Sequence, residues 1–258
     1  MFLKALGKNP SGNELKKVEA SPNYKNKSFQ NLMQTSMMEN TSMFSIMWKF
    51  MNKPKNTAPP KPLPSVKTDL KSLPDGAPVI VWFGHSSYLV KINGKYILVD
   101  PVLTGHASPF SFTAKSFPGT DIYTVEDLPA IDVLIISHDH YDHLDYQAMK
   151  KLEPKTQLIC TSLGVASHLN FWSINNKKVT EFDWWDSHEI FGDLRLTAVP
   201  ARHFSGRSFV RNKTLWSSFV LQSRQYSLLI GADSGYGDHF KTIQKKFDSF
   251  DLAILECG

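Results

Sequence analysis

Three histidines and two aspartates fall within one stretch of six residues, which reads His138-Asp139-His140-Tyr141-Asp142-His143. An apolar run precedes this stretch and helical spacing follows it, so the stretch lies on a turn between a strand and a helix. Ordinary surface or core polarity explains such a cluster poorly, because each buried polar group needs a partner. Imidazole and carboxylate groups are ligands that Zn²⁺ prefers. The stretch therefore predicts a metal site.

Apolar runs typical of β-strands occur on both sides of the histidine stretch. They cover Val79–Phe83, Tyr88–Ile92, Tyr96–Val99, Ile131–Ser137, Gln157–Thr161, Val179–Phe182, Leu194–Val199, Trp216–Gln222, Ser227–Ile230 and Asp251–Leu255. Helical spacing covers Leu144–Leu152, Gly164–Trp172 and Asp238–Lys246. Strands outnumber helices, and the histidines follow strand ends. We therefore expect an α/β fold in which two sheets form a sandwich with the helices outside it.

The pattern His-x-His-x-Asp-His at positions 138–143 resembles the signature of the metallo-β-lactamase superfamily, whose fold is an αββα sandwich. Other residues match the family's pattern in chain order, each of them a few residues after a predicted strand. The resemblance implies a first metal ion held by His138, His140 and His203, and a second held by Asp142 and His143, with Asp233 bridging the two.

Two further residues are expected to support the metals. Asp100 closes an early strand, and by resemblance it orients the ligand stretch without binding metal itself. His85 lies in Gly84-His85-Ser86, which resembles a Gly-His motif that lipid- and phosphate-cleaving branches of the superfamily carry near the metals.

Five motifs resemble the branch that contains N-acylphosphatidylethanolamine-hydrolysing phospholipase D: Gly84–Leu89, Asp183–Trp185, Arg202–Arg207, Leu215–Phe219 and Asp233–Tyr236. This similarity runs over roughly residues 50–258 and implies two zinc ions that serve to cleave a phosphodiester.

The C-terminus departs from the family's pattern. The family's second metal ion receives a further histidine from a loop beyond the strand that Asp251–Leu255 resembles, and this chain ends at Gly258. We therefore expect a domain that lacks its C-terminal part and an incomplete second metal site. His239 follows Asp233 closely and is not expected to substitute.

Two metal ions would lower the pKa of a bridging water toward neutrality and neutralise charge on the attacked phosphoryl or carbonyl oxygen. Asp142 is the predicted catalytic residue, because at the second metal it could orient the resulting hydroxide and shuttle its proton.

Three functions stay open. They are a phosphodiesterase acting on an N-acylated phospholipid or similar amphiphile, a soluble lactonase or cyclic or sugar phosphodiesterase, and a metal-binding protein without turnover.

Residues 1–70 differ from the rest of the chain in charge, since they carry 11 lysines and 4 acidic residues, or +7, against −2 for residues 71–258. We interpret residues 1–70 as an extension, expected to be a solvated and partly flexible arm, and residues 71–258 as the catalytic domain. The extension contains a proline-rich strap at residues 53–64. An apolar cluster at Met43–Met51 is expected to form about two helical turns that pack on the domain or touch lipid.

The composition favours a cytoplasmic protein. No run approaches the roughly 18 apolar residues of a membrane span, no cleavable signal is evident, and two cysteines are typical of a reducing compartment. The basic extension leaves peripheral membrane contact open. A small-molecule or phospholipid substrate is expected, and nucleic acid is not, because the catalytic part is slightly acidic and has no basic, aromatic-interleaved groove. The oligomeric state is left open.

Overall fold

The computed structural model describes residues 2–35, 57–207 and 210–257, together with the single residues 42, 45, 48 and 52. The prediction of a short helix at Met43–Met51 therefore lies outside the described residues, apart from two single positions. In the part of the chain that the structure describes, no helix has the length and apolar character needed to cross a membrane.

The N-terminal segment, residues 2–35, packs on the domain. It contains α1 (Phe2–Ala5), α2 (Asn13–Glu19) and a hairpin of β1 (Tyr24–Lys25) and β2 (Ser28–Phe29). Val18 and Phe29 are completely buried in one cluster with Trp184 and Trp216. The expectation of a solvated arm is wrong for this segment, because these two apolar side chains dock it on the domain.

The first sheet has six strands, and their spatial order is the same as their order along the chain. They are β3 (Val79–Gly84), β4 (Ser87–Ile92), β5 (Lys95–Val99), β6 (Ile131–Ile136), β7 (Thr156–Ser162) and β8 (Val179–Phe182). Strands β3 to β5 pair antiparallel, whereas β5 to β8 pair parallel. Every residue of β6 is buried, as expected for a central parallel strand covered on both faces. The carboxyl ends of β5, β6 and β7 consequently meet at one edge of the sheet.

The second sheet has five strands in the spatial order β13-β12-β11-β10-β9. Their bounds are Ser187–Phe191 for β9, Leu194–Pro200 for β10, Ser217–Gln222 for β11, Ser227–Ile230 for β12 and Leu252–Ile254 for β13. All pairs are antiparallel except β12 with β13. Strand β9 was not predicted, because this edge strand is mostly exposed and lacks the apolar run of a buried strand.

Three helices lie outside the sheets: α3 (Tyr146–Leu152), α4 (Ala166–Phe171) and α5 (His239–Phe247). Met149 and Leu169 pack α3 and α4 on the outer face of the first sheet, and Ile243 packs α5 on the second. A separate core between the sheets joins Val133 and Ile135 of β6 to Phe219 of β11. The predicted αββα sandwich is therefore confirmed, and each strand and helix predicted within residues 79–258 is present with bounds shifted by at most two residues.

The end of the proline-rich strap also joins the domain. The N–H of Leu63 donates to the carbonyl oxygen of Pro118 over 2.8 Å, which holds the strap against the long loop between β5 and β6. Leu70 and Leu73 then enter the core under the first sheet. This packing places the strap beside the carboxyl-end edge of the sheet.

Candidate metal centre

The histidine stretch begins directly after β6, at the edge where the parallel strands finish. Ser137 anchors its start, because the Ser137 N–H donates to Asp100 Oδ1 over 2.8 Å and the Ser137 hydroxyl donates to Asp100 Oδ2 over 2.6 Å. The stretch then turns, and the N–H of His143 donates to the carbonyl oxygen of His140 over 3.2 Å. The Asp145 carboxylate caps the first turn of α3 and ends the loop.

The first donor group consists of His138, His140 and His203. His140 Nδ1 lies 2.9 Å from His138 Nε2 and 3.2 Å from His203 Nε2. Nitrogen ligands of a tetrahedral zinc ion, at about 2.0–2.1 Å from the metal, stand roughly 3.3 Å apart, so this spacing fits one ion. Burial is the main cause that lowers the pKa of all three imidazoles, to about 4 for His203. The rings are therefore neutral near pH 7, which is the form that binds metal.

The second donor group consists of His85, Asp142, His143 and Asp233. His85 Nε2 lies 3.1 Å from Asp142 Oδ2, and His143 Nε2 lies 3.2 Å from Asp233 Oδ1. The latter pair is not in hydrogen-bonding geometry, so the buried His143 Nε2 has no hydrogen-bond partner among the described residues. An unsatisfied buried nitrogen is costly, and a metal ion would satisfy it. Imidazoles and carboxylates in one cluster thus fit a divalent ion.

Asp233 lies between the two donor groups. Its Oδ1 faces His143, while its Oδ2 lies 3.6 Å from His203 Nε2. Ser86 supports this carboxylate through a 3.4 Å hydrogen bond from its hydroxyl to Oδ1. The two oxygens of one carboxylate are therefore directed at both groups, which is the arrangement a residue bridging two ions requires.

Asp100 orients His143 from the side away from Asp233. The two residues are completely buried, and Asp100 Oδ2 lies 2.9 Å from His143 Nδ1. Burial by itself lowers the pKa of His143, but the Asp100 and Asp233 carboxylates outweigh it and raise the pKa to about 10. The Nδ1–H of His143 can donate a hydrogen bond to Asp100, and loss of the Nε2 proton then leaves Nε2 to bind metal, an arrangement common among metal-ligating histidines.

The residues predicted to bind or support the metals all lie in or against the two donor groups. His85 was expected only near the metals, and the structure brings it into the second group itself. His239 instead contacts the Ser234 hydroxyl over 3.0 Å and belongs to neither group.

Asp139, a residue of the histidine stretch that the sequence analysis left without a role, supports the stretch from behind. Its buried carboxylate accepts hydrogen bonds from Thr214 Oγ1 over 2.9 Å and from the N–H of Gly206 over 2.6 Å. Its Oδ2 also lies 3.0 Å from His168 Nε2. Asp139 therefore ties the first ligand loop to the loop that carries His203.

The buried Arg207 extends this support to the N-terminal segment. One guanidinium nitrogen donates to the carbonyl oxygens of Asp139 and Leu144, each over 2.7 Å. The other two donate to the carbonyl oxygen of Ala5, over 2.8 and 3.2 Å. No sequence signal identified these contacts, because they join residues far apart along the chain.

An apolar cavity of about 420 Å³ opens beside the second donor group. His85 and Asp142 form its metal-side wall, and Leu63, Trp82 and Phe117 are among the residues that line the rest. A neighbouring cavity of about 690 Å³ shares the Trp82 and His85 walls. Neither cavity is lined by a histidine of the first group, so the second group is the one that faces these cavities.

Comparison with known proteins gives relatives that are longer than this chain. An uncharacterised protein of Mycobacterium tuberculosis is 33% identical over 243 residues, which cover 93% of this chain and 65% of that protein. The N-acyl-phosphatidylethanolamine-hydrolyzing phospholipase D 1 of Caenorhabditis elegans is 32% identical over 188 residues, or 69% of this chain and 52% of that protein. The chain thus spans less than two thirds of the length of these relatives.

A solved structure shares the fold. It is that of CmlA, a diiron beta-hydroxylase from Streptomyces venezuelae, with a TM-score of 0.53 and 22% identity over 70% of this chain and 34% of that chain. A family model described as the beta-lactamase superfamily domain matches residues 95–258, which include every residue of the two donor groups except His85. This chain therefore belongs to the metallo-β-lactamase superfamily.

Proposed function

We propose that this chain is a hydrolase that binds two zinc ions and cleaves the phosphodiester of an N-acylated phospholipid or a similar amphiphile. The observation that carries the proposal is the pair of donor groups joined by Asp233 beside an apolar cavity. The nematode relative, whose name states that it hydrolyses N-acylphosphatidylethanolamine, supports the substrate class.

In this proposal the two donor groups hold one ion each. His138, His140 and His203 would hold the first ion, and His85, Asp142 and His143 would hold the second, with Asp233 lying between the two groups. Bound zinc ions would activate water for attack and would neutralise charge on the attacked phosphoryl oxygen.

Asp142 is the proposed catalytic residue. Burial opposes its ionisation, but His85 and His143 outweigh this effect and hold the pKa of the carboxyl group well below its usual range. Asp142 is therefore a carboxylate at neutral pH. Because His85 Nε2 contacts one carboxylate oxygen, Asp142 can accept a proton from the attacking water through the other and orient that water.

The apolar cavity supports an amphiphilic substrate. Its volume lies within the range of small-molecule sites, and its apolar walls suit an acyl chain better than a sugar or a nucleotide. Trp82, which lines the cavity, is 67% exposed, and Phe112 on the adjoining loop is 73% exposed. Exposed aromatic side chains of this kind favour a membrane–water interface, so we propose peripheral contact with a membrane.

We propose a cytoplasmic location for this activity. Cys160 and Cys257 are both free thiols, which agrees with a reducing compartment.

The first test is the metal content of the purified chain and of two histidine variants. His140→Ala removes a member of the first donor group, whereas His188→Ala removes an exposed histidine of β9 and is the matched control. Elemental analysis should find two zinc equivalents in the wild type and in His188→Ala, and fewer in His140→Ala. A wild type without bound metal would contradict the proposal.

The second test separates the proposed substrate from the alternatives. Hydrolysis of N-acylphosphatidylethanolamine in mixed micelles is measured beside hydrolysis of a soluble phosphodiester and a lactone. Phe117→Ser, which makes one cavity wall polar, should reduce lipid hydrolysis while leaving hydrolysis of the soluble phosphodiester unchanged. Activity on soluble substrates alone would favour a lactonase or a soluble phosphodiesterase, and fully metallated protein without any turnover would favour a metal-binding role.

A further inference from the structure

His203, whose side chain belongs to the first donor group, lies in the loop that follows strand β10. Strand β10 ends at Pro200, which pairs with Ser217 of β11, and His203 follows three residues later in the loop. There the N–H of His203 donates to Asn31 Oδ1 over 3.1 Å, and Asn31 Nδ2 donates to the His203 carbonyl oxygen over 2.7 Å. One side-chain amide thus satisfies both polar groups of the His203 backbone, as a neighbouring β-strand would.

Asn31 belongs to the N-terminal segment and is held firmly by its surroundings. Phe29, two residues earlier, is completely buried in the cluster that contains Trp184 and Trp216. The Phe29 N–H also donates to the carbonyl oxygen of Asn212 over 2.9 Å, in the same loop as His203. The amide that contacts His203 therefore belongs to a residue just after a docked hairpin and not to a free chain end.

The other two members of the first donor group do not need such help. His138 and His140 are fixed by the buried end of β6 and by the turn that leads into α3. His203 reaches them from a separate loop and must bring its Nε2 to 3.2 Å from His140 Nδ1. The position of the His203 backbone therefore decides whether the third nitrogen is available to an ion.

We propose that Asn31 is a positioning residue that holds His203 in place for metal binding, so that the N-terminal segment is part of the metal site. This inference rests on the proposed binding of a metal ion by the first donor group. Loss of a group that orients a metal ligand typically weakens metal affinity by about 10–100-fold, and we expect an effect of this size when Asn31 is removed.

The test compares two asparagines of the same segment in the full chain. Asn31→Ala removes both hydrogen bonds to His203, and Asn31→Asp keeps an acceptor for the His203 N–H but loses the donor to its carbonyl oxygen. Asn23→Ala is the matched control, because Asn23 is also half-buried and its Nδ2 donates to Asp183 Oδ1 over 2.9 Å, outside both donor groups. Zinc affinity is measured by competition with a chromophoric chelator, ligand geometry by the absorption spectrum of the cobalt-loaded protein, and stability by thermal unfolding without metal.

We expect both Asn31 variants to weaken the binding of one zinc equivalent, by about tenfold or more for Asn31→Ala, and to change the cobalt spectrum. Asn23→Ala should lower the unfolding temperature of the metal-free protein without changing zinc affinity or the spectrum. If Asn31→Ala fails to fold, Asn31→Asp decides the question. Zinc affinity and cobalt spectra equal to those of the wild type would overturn the role of Asn31 alone, whereas a wild type that binds no zinc would overturn the proposed function as well.

Discussion

The two donor groups lie side by side and share contact with Asp233, yet they differ in charge and surroundings. The first contains three imidazoles whose pKa values are lowered by burial, so that they are neutral near pH 7. The second combines imidazoles with carboxylates, and it borders the apolar cavity through His85 and Asp142. The first group is therefore suited to holding an ion with neutral nitrogens. The second is suited to accepting a proton and to stabilising charge on a substrate in the adjacent cavity.

Asp233→Asn changes the residue that the two groups share, and we expect the largest effect from it. Loss of its negative charge weakens a ligand of both groups, so affinity for both ions should fall. Hydrolysis should decrease by about 10³-fold, because charge stabilisation worth several kcal/mol is lost with the metals. Elemental analysis after dialysis, together with kcat, measures the outcome.

His203→Ala is the comparison variant for this experiment, because it alters the first group alone and should deplete one ion. Two ions retained by Asp233→Asn at wild-type affinity would show that this carboxylate does not bridge the groups.

His85→Ala tests whether the second group has four members or three. We expect about a tenfold loss of affinity at the second ion, with the first ion retained, because His85 both faces the site and orients Asp142. Chelator competition measures the two affinities separately. His188→Ala should behave as the wild type, and a His85→Ala protein that does the same would remove His85 from the ligand set.

The opposite pKa shifts of His143 and His203 should also appear in the stability of the metal-free protein, with a smaller effect. The pKa of His143 is about 10 in the folded protein, above its ordinary 6.5, so its stabilising contribution is complete below pH 6.5 and is lost as the pH rises toward 10. The pKa of His203 is lowered to about 4 in the folded protein. As the pH falls from 6.5 toward 4, the unfolded chain therefore binds a proton at His203 that the folded protein does not, and the stability decreases. Thermal unfolding in the presence of chelator should therefore show a maximum near pH 6.5.

Asp100→Asn separates these two contributions. It removes a charge that raises the pKa of His143, and so it should flatten the alkaline side of the stability curve while the acid side keeps its slope. A wild-type curve that rises or falls steadily across this pH range would contradict the assignment.

Local sequence patterns predicted the sandwich and the histidine stretch, whereas His203 and Asp233 were assigned through the family resemblance and His85 was expected only beside the metals. The ligand stretch follows the continuous apolar run of β6, and the residues that face it from other strands carry the same signal of a polar residue after an apolar run. Strand β9 has no such run, since its outer residues are exposed, and it forms only by pairing with β10. A pattern based on apolar periodicity cannot detect a strand of this kind.

The supporting contacts could not be predicted for a different reason. Asn31 and Asp139 look like ordinary polar residues, and nothing near them in sequence indicates their partners. Their hydrogen bonds arise only when the N-terminal segment and the loop after β10 meet at the edge of the first sheet. The same applies to the docking of Val18 and Phe29, which are isolated apolar residues in a polar stretch.

The contacts that fix the metal centre also bear on folding kinetics. Asn31 meets His203 across 172 residues of chain, and Ala5 meets Arg207 across 202 residues. Closing loops of this length costs chain entropy, and this cost arises before the stabilising contacts form. Structures with many such long-range contacts therefore fold slowly. The metal centre should therefore be among the last regions to form, after both ends of this span have been synthesised, and zinc uptake during refolding should follow the slowest folding phase.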